Sequence, residues 1–597
     1  MSKVRILSPR PEINKNTAFN AVFLLNALIN VRFVMNVYKI ISENVKSKLM
    51  EIDGLADSLP TDVAIETPKI RDFGDFSTNV AMILARPLKK SPRDIAEMIL
   101  PKICEIPFVE NATIAGPGFI NITLKNDFLV APEKYNVASE KAAPLTIDMD
   151  YGSYNIGKAL HIGHLRTTVV GDTFNRIARA LGHKTKSYNH MGDWGRPMGL
   201  IIAWILEHGM PKNADDINVI YPASSARAKE DKEWLERAQR VTVELQNGNA
   251  EYLDIYNKFA PMSLSQISDI LVRLNILPFD ENKGERLVAE YVPAVQKILD
   301  EKNLIVHDDG ADVIPVKLDT DTAPMPPVMW RSSTGAQTYA AADLAAIYYR
   351  TTTDNPNDIV YFTDSRQNLH FTQVFRAAKM AGMDSANLQH IGFGTITGAD
   401  GKPFKTRDGD VPSLAQMMDM VADSVRARAT ESGKELSDET VEMIALAALK
   451  FNDLMHDVKS DYVFDVDSVT QFEGRTGPYI LYTAVRLNAV AKKAADMGVV
   501  AMADAGALQA EERNLLLRVM DFERVLENAF ARRATDLLAN YTYDLAQDIN
   551  TFYHHCPILR DDVVDGVKAA RLHIVNVARE TLLRAIDLMG LRVPESM

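Results

Sequence analysis

The chain is poor in cysteine. Among its 597 residues, only Cys104 and Cys556 carry a thiol. Two cysteines build neither a Cys-x-x-Cys site nor a disulfide framework, which excludes a small scaffold stapled by disulfides. This scarcity favours a reducing compartment, and we expect a cytoplasmic protein.

Long apolar runs and excess positive charge are also absent. No apolar run reaches the ~18 residues of a membrane span, so we expect no membrane partner. Lysine and arginine number 66 against 79 acidic residues, a formal net charge of −13. This balance argues against unspecific coating of nucleic acid, although a local basic surface would suffice for a nucleic-acid partner. The length predicts roughly three to five domains.

Residues 1–34 differ in character from the rest of the chain. The apolar stretch "AFNAVFLLNALINVRFV" is interrupted by Asn20, Asn26, Asn30 and Arg32. It has the features of a targeting segment, or of an N-terminal extension that is disordered or reflects a mis-set start. We favour the extension, with the first domain opening at Met35.

The segment 35–140 predicts a compact α+β domain. The apolar residues from Val37 to Leu49 recur at helical spacing, and Ser91-Pro92 is typical of a helix N-cap followed by proline at the first helical position. "ATIAGPGFINITL" predicts short strands around a Gly-Pro-Gly turn.

A strand–loop–helix–strand unit follows. "LTIDMD", ending at Asp150, alternates apolar and polar residues, a helix is predicted to end at Gly182, and "HKTKSYNH" predicts a second strand. This is the βαβ unit of an open parallel sheet, which binds ligands at the carboxyl ends of its strands. Residues from about 205 to 330 are interpreted as an insertion, and the chain after Ser413 predicts helices.

Histidine is scarce, at 12 residues, yet "HIGH" places His161 and His164 around Gly163 at the predicted helix start. Unpaired N–H groups at a helix start attract phosphate, the glycine permits close approach, and imidazoles donate hydrogen bonds to growing negative charge. Two structural histidines at a turn are an equal alternative from these four residues alone. Zinc binding is disfavoured, because no further ligands lie nearby.

A glycine-rich loop lies about 240 residues downstream. "FGTITGADGKPFKTRDGD" contains Gly398 and the cations Lys402, Lys405 and Arg407. Three cations on such a loop are suited to hold a leaving pyrophosphate, although a solvated surface loop is the commoner case for this pattern alone.

Together the two motifs resemble the signatures of class I aminoacyl-tRNA synthetases. The wording is similar to that of the arginyl-tRNA synthetases in "SYNIGKALHIGHLRTTVVGD", "NHMGDWGRPMG", "FTDSRQNLHFTQ", "GKPFKTRDGD", "SDYVFDVDSVTQFEGRTGPYILYTAVR" and "YDLAQDINTFYHHCPIL". These motifs occur in the family's order and span nearly the whole chain from Met35.

The resemblance implies a multidomain α/β fold. A Rossmann-like parallel-sheet catalytic domain would cover 141–412 with its insertion, after an α+β tRNA-binding domain over 35–140. A helical stem-contact region over 413–478 and an all-α anticodon-binding domain over 479–597 would follow.

The resemblance also implies the reaction. L-Arginine and ATP, the latter with Mg²⁺ and without a tightly bound metal, give arginyl-adenylate and pyrophosphate. The arginyl group then passes to the terminal adenosine of arginine tRNA. We expect a monomer. His161, Gly163, His164, Gly398 and Lys405 would bind ATP.

An arginine pocket needs carboxylates that pair with a guanidinium. The family's pattern places these at Asp150 and Asp343. It adds Tyr339 and Gln367 as pocket residues, and Ser153 and Asn155 near the substrate's α-amino group. Asp193 and Trp194 are expected to shape the pocket floor.

For tRNA, the resemblance offers Lys89, Lys90 and Arg93 as phosphate contacts, with a solvated face equally plausible. Aromatic residues of the C-terminal region, namely Tyr541, Tyr543, Phe552 and Tyr553, include stacking candidates, but helical spacing assigns most of them to the core. The rival hypotheses are a small nucleotidyltransferase, which would lack the C-terminal helices, and a non-catalytic paralogue that binds tRNA or senses arginine. A paralogue of that kind would be expected to lose the two signatures.

One departure concerns the second signature. The usual class I loop reads Lys-Met-Ser-Lys-Ser, whereas here the matching stretch runs from Pro403 to Arg407, with Thr406 at the second lysine position. Many family members share this departure and carry a lysine just before the first signature. Lys158 occupies that position and is predicted to supply the missing charge.

Overall fold

The structure is a computed structural model that describes residues 36–68, 73–135, 143–333, 335–398, 400–402, 412–504 and 506–597. It divides into two compact units. The first comprises the chain up to residue 140 with 500–524 and 560–577, and the second comprises 141–499, 525–559 and 578–597. The hypothesis about residues 1–34 falls outside the described residues.

The first unit contains a four-stranded antiparallel sheet of order β1-β2-β4-β3. The predicted strands around the Gly-Pro-Gly turn are its β3 and β4, and Ser91 caps a helix with Pro92 at its first position, as predicted. Its N-terminal elements are α1 (Val37–Met50), β1 (Ile65–Glu66), β2 (Phe76–Thr78), α2 (Val80–Leu88), α3 (Pro92–Cys104), β3 (Val109–Ala115), β4 (Phe119–Leu124) and α4 (Asn126–Val130). The apolar side of α1 is buried, which confirms the helix predicted there.

The second unit is built on a five-stranded parallel sheet, whose strands in spatial order are β12 (Asn387–Phe393), β11 (Asp358–Asp364), β5 (Thr146–Asp150), β6 (Lys184–Asn189) and β7 (Glu281–Asn282). The predicted βαβ unit is confirmed as β5 (Thr146–Asp150), α5 (Ile162–Ala180) and β6 (Lys184–Asn189). Strand β5 is central, so its polar residues Asp148 and Asp150 are buried together with its apolar ones.

The inserted part of this unit has two portions. The first consists of α6 (Arg196–His208), α7 (Ala214–Glu230), α8 (Lys232–Gln246) and α9 (Ala250–Arg273). The second contains β7 (Glu281–Asn282), α10 (Glu285–Val288), α11 (Val292–Glu301), β8 (Val306–Asp308), β9 (Ala311–Ile314) and β10 (Val328–Arg331). Strand β7 pairs with β6, so the span 205–330 is not a pure insertion: two of its residues complete the main sheet.

The remaining elements return to the sheet and then become helical. They are α12 (Tyr339–Thr353), β11 (Asp358–Asp364), α13 (Asn368–Ala381), β12 (Asn387–Phe393), β13 (Ile396–Thr397), α14 (Leu414–Glu431), α15 (Asp438–Leu454), β14 (Tyr462–Val463), α16 (Val466–Val469), α17 (Gly477–Asp496), α18 (Ala510–Met520), α19 (Phe522–Arg532), α20 (Asp536–His555) and α21 (Asp565–Leu588). The helical character predicted after Ser413 is confirmed, with the two-residue strand β14 as an exception because it pairs with β13. Within the described ranges, no helix is long and apolar enough to span a membrane.

Candidate active site

The first signature forms the start of helix α5, beyond the carboxyl end of β5. His161 is the N-cap, and its Nδ1 accepts a hydrogen bond of 3.1 Å from the N–H of Gly163. The Nδ1 of His164 accepts one of 3.0 Å from the N–H of His161, and the two ring centroids lie 4.0 Å apart. Because each Nδ1 is an acceptor, each neutral ring carries its proton on Nε2.

Both rings are held in that neutral state. Burial and the neighbouring His161 lower the pKa of His164 to about 3. Burial, with the charges of Lys158 and Arg366, also lowers the pKa of His161. At neutral pH the helix start therefore presents two Nε2–H donors and no imidazolium.

Lys158 lies on the loop before α5, as predicted, but its ammonium group contacts the insertion. Its Nζ lies 4.2 Å from the ring centroid of Tyr221 on α7. Its charge nevertheless reaches the histidines, since it contributes to the lowered pKa of both.

The second signature is described only in part. Gly398 donates a backbone hydrogen bond of 2.8 Å to the carbonyl of Lys402, which closes an exposed turn. Lys405 and Arg407 lie outside the described residues. Leu414, at the start of α14 (Leu414–Glu431), donates a 2.7 Å backbone hydrogen bond to the carbonyl of Leu160, so this helix begins directly beside the first signature.

An acidic pocket forms around Asp343 on α12. Its Oδ2 lies 2.6 Å from the Nε2 of His370, and its Oδ1 lies 3.9 Å from the Nε2 of His190. Glu285, at the start of α10, accepts a 3.2 Å hydrogen bond from the N–H of Trp194. Burial raises the pKa of Glu285 to about 7. The nearby His190 lowers this pKa, whereas the carboxylates of Asp193 and Asp343 raise it further.

Asp150 departs from the predicted arrangement. Its Oδ2 accepts a 2.6 Å hydrogen bond from Nη2 of Arg350, and both side chains are 2% exposed. In this structure Asp150 therefore pairs with a guanidinium of the chain itself, and its contact with the substrate's guanidinium stays a prediction. Asp148 lies beside this pair without a hydrogen-bond partner among the described residues, and burial raises its pKa to about 7.

The other predicted pocket residues lie along the same sheet edge. Ser153, at φ 52°, donates a 3.3 Å hydrogen bond to Asp150, and Asn155 bridges to Gly192. Tyr339 is 70% exposed at the start of α12, with its ring centroid 5.6 Å from that of His370. Gln367 is exposed at the end of the turn Ser365–Gln367.

Asp193 is locked by internal contacts. Its Oδ2 accepts a 2.6 Å hydrogen bond from the Tyr256 hydroxyl, and its Oδ1 accepts one of 3.1 Å from the N–H of Arg286. The ring of Trp194 packs edge-on against Tyr256. These contacts are those of a pocket wall.

The sequence patterns did not predict that Glu285, His190, His370 and Arg350 lie at this site. His190 and His370 lie in the family motifs "NHMGD" and "SRQNLHF". Because histidine is scarce in this chain, the same signal that indicates His161 could have indicated these two. Glu285 and Arg350 gave no local signal, because their partners are distant in sequence.

A cavity of about 480 Å³ lies in the helical part of the second unit. Asn550 donates 2.9 Å hydrogen bonds to Tyr479 and Thr483, and Arg486 lies 4.8 Å from the ring centroid of Tyr482. The residues lining the cavity are Ala429, Ser432, Lys434, Leu436, Phe472, Glu473, Tyr479, Tyr482, Arg486, Asn550, His554 and Met597. Of the C-terminal aromatics considered above, Tyr541 and Phe552 are in the core and Tyr553 is 38% exposed.

Three family descriptions match successive parts of the chain. Residues 39–124 match the arginyl-tRNA synthetase N-terminal domain, 125–466 the catalytic domain of class I tRNA synthetases (R), and 480–597 the DALR anticodon-binding domain. The chain belongs to the arginyl-tRNA synthetase family. The catalytic match runs past the boundary predicted at residue 412.

Individual relatives agree with this assignment. An arginine–tRNA ligase of Alkaliphilus oremlandii is 36% identical over 88% of this chain and 94% of its own. One of Agathobacter rectalis is 35% identical with the same coverage. The structure of Thermus thermophilus arginyl-tRNA synthetase, 22% identical, superposes with a TM-score of 0.79 over 94% of this chain and 100% of that one, which shows a shared fold.

We expect Asp343→Asn to weaken L-arginine binding by about 2–5 kcal/mol, because the substrate's guanidinium loses a carboxylate partner. Glu285→Gln should act differently. A carboxyl with a pKa of about 7 is protonated at pH 6 and ionised at pH 8, so arginine binding should tighten over that interval in the parent enzyme. The glutamine variant should lose this pH dependence. Isothermal titration calorimetry between pH 6 and 8 measures both effects.

Asp321→Asn provides the matched control, since the side chain of Asp321 is 11% exposed, close to the 15% of Asp343, and pairs with Arg376 at 2.7 Å. Arginine affinity in that variant should stay at the parent value. An unchanged affinity in Asp343→Asn would show that the acidic pocket does not bind the substrate side chain.

Proposed function

We infer that the chain is an arginine–tRNA ligase. It activates L-arginine with ATP, releasing pyrophosphate, and transfers the arginyl group from the adenylate to the 3'-terminal adenosine of arginine tRNA. The observation that carries this conclusion is the combination of an intact first signature, with two neutral Nε2–H donors, and an acidic pocket at the same sheet edge. The cytoplasm and a monomeric state stay predictions of the sequence.

The adenylation step places negative charge on the phosphates. The arginine carboxylate attacks the α-phosphorus of ATP, a new P–O bond forms, and the bond to the pyrophosphate leaving group breaks. Preorganised donors that meet developing charge lower such a barrier most effectively. His161 and His164 are placed to donate from Nε2, and the N–H groups at the start of α5 add to this field. Mg²⁺, carried by ATP, would neutralise further phosphate charge.

The arginine side chain is assigned to Asp343, Glu285 and Tyr339. Asp343 is 15% exposed, so a guanidinium that reaches it leaves most of its water behind and depends on carboxylate partners. In this assignment Asp150 does not contact the substrate and instead neutralises Arg350. The Cζ of Arg350 lies 4.2 Å from the ring centroid of Tyr188 and 5.2 Å from that of Tyr361.

ATP–pyrophosphate exchange tests the proposed function. We expect L-arginine alone among the standard amino acids to support exchange, and total tRNA to raise its rate, as is usual in the family. Aminoacylation with labelled arginine should then charge arginine tRNA. Exchange with a different amino acid, or charging of no tRNA in the presence of exchange-competent ATP and arginine, would contradict the assignment.

Lys158→Ala should lower arginine-dependent exchange by about 10²–10³ with tRNA present, because the phosphates lose a cation close to both histidines. Thr406→Lys in that background, which restores the usual class I lysine, should recover part of the rate. Tyr221→Leu serves as the control: it removes the ring beside the ammonium group but keeps the charge, and its rate should stay near that of the parent. A Lys158→Ala enzyme with the parent rate would contradict this role for Lys158 and assign the role to Lys402, Lys405 and Arg407.

The cavity around Tyr482 is proposed to receive a base of the anticodon loop. Its lining residues Tyr482, Arg486, Asn550, His554 and Met597 belong to the region that matches the anticodon-binding domain, and the cavity combines the exposed ring of Tyr482 with the guanidinium of Arg486. Aromatic rings and arginine planes are the common stacking partners of splayed RNA bases.

Tyr482→Ala should raise the KM for tRNA by about 5- to 150-fold, the equivalent of about 1–3 kcal/mol for one stacked base. The KM for arginine should not change. Met497→Ala is the control, because Met497 is 42% exposed at the C-terminal end of the same helix as Tyr482 and does not line the cavity. Equal effects of the two variants would refute the assignment of the cavity.

A further inference from the structure

The two signatures are joined by contacts at both ends of the second one. At its far end, Ser413 forms an antiparallel bridge with His161, and Leu414 donates to the carbonyl of Leu160. At its near end, Gly394 is bound by a side chain of helix α5 itself. That side chain is Arg166, one and a half turns after His161.

Arg166 is 1% exposed and uses its guanidinium for several partners at once. Its Nη1 donates hydrogen bonds of 2.9 Å to the carbonyl of Gly394 and 2.8 Å to that of Ser460. Its Nε lies 3.0 Å from Oδ1 of Asp453 on α15, which is fully buried and supplies the opposite charge. The ring of Tyr462 lies 5.0 Å from its Cζ.

These contacts hold together two segments that are far apart in sequence. The strands β13 and β14 pair in parallel just beyond Gly394 and Ser460. A Cβ on Gly394 would lie 2.4 Å from the carbonyl carbon of Ser460 and 2.6 Å from the N–H nitrogen of Asp461, so the two backbones approach as closely as glycine allows. The guanidinium places Nη1 between two carbonyls while Nε faces the carboxylate of Asp453, and the single ammonium of a lysine cannot reproduce this fixed arrangement.

We propose that Arg166 is a positioning residue for adenylation: it fixes the backbone from Gly394 to Lys402 relative to the helix that carries His161 and His164. The catalytic part of this inference rests on the proposed function. In the proposed function the histidines and Lys402 act on the same phosphates, so a shift at Gly394 would alter their relative placement in the transition state. Ground-state binding of arginine, which uses the acidic pocket, does not depend on it.

Two variants test the inference from opposite sides. Arg166→Lys keeps the charge opposite Asp453 but loses the fork, and Gly394→Ala keeps the fork but forces the two backbones apart. Both should lower kcat for arginine-dependent pyrophosphate exchange by about 10²-fold, the cost typical of a misplacement of about 1 Å. The KM for arginine should stay within about twofold of the parent value.

Arg176→Lys is the matched control. Arg176 lies on the same helix, pairs with Asp172 at 2.8 Å and donates 2.9 Å to the carbonyl of Asn275, but it does not contact Gly394. Its kcat should stay close to that of the parent. Hydrogen exchange supplies a second readout: backbone amides of 394–402 should exchange faster in Arg166→Lys, while those of β11 keep their protection.

The kcat values and the amide exchange rates together decide the inference. A parent-like kcat in both Arg166→Lys and Gly394→Ala overturns the inference, as does a loss of protection in β11 equal to that in 394–402. If Arg166→Lys does not fold, Gly394→Ala decides alone. If the parent itself exchanges no pyrophosphate with arginine, the proposed function fails, and the exchange of amides 394–402 still decides whether Arg166 positions this backbone.

Discussion

The site depends on how closely helix α5 packs against the carboxyl ends of the central strands. The Thr167 hydroxyl donates a 2.5 Å hydrogen bond to the carbonyl of Phe362 in β11, and its oxygen lies 3.2 Å from the carbonyl of Tyr151, directly after β5. Gly171 makes the approach possible, since a Cβ there would lie 2.2 Å from that of Tyr151. The position of His161 and His164 follows from this packing rather than from the four residues of the motif.

Local sequence patterns predicted several of the helices and strands, and they placed the first signature at the start of a helix. The apolar spacing of α1, the βαβ unit around α5 and the cap at Ser91 were all readable, because each depends on residues a few positions apart. Strand β7 was not, since two residues carry no periodic signal and its place is set by pairing with β6. The family resemblance supplied Asp343 and Tyr339, which periodicity could not distinguish from an ordinary helix surface.

The electrostatic partners were the least accessible from sequence. Asp150 was expected to face the substrate, yet Arg350, 200 residues away, reaches it in the folded chain. Arg166 and Asp453, 287 positions apart by their numbers, form another buried pair. A buried charge is tolerated only beside its counter-charge, so such pairs are set by the topology of the whole unit. The sequence displays each partner as an isolated charged residue.

The pair of Arg350 and Asp150 limits which substitutions the chain tolerates at position 350. In the folded chain, Asp150 pairs with a guanidinium, the same chemical group that the proposed substrate carries. Any replacement that shortens Arg350 would leave a guanidinium-shaped vacancy lined by Asp148 and Asp150, next to the acidic pocket of Asp343 and Glu285. Such a vacancy would bind arginine in a non-productive position, away from the phosphates. Selection on Arg350 would then act through competition for the ligand as well as through folding.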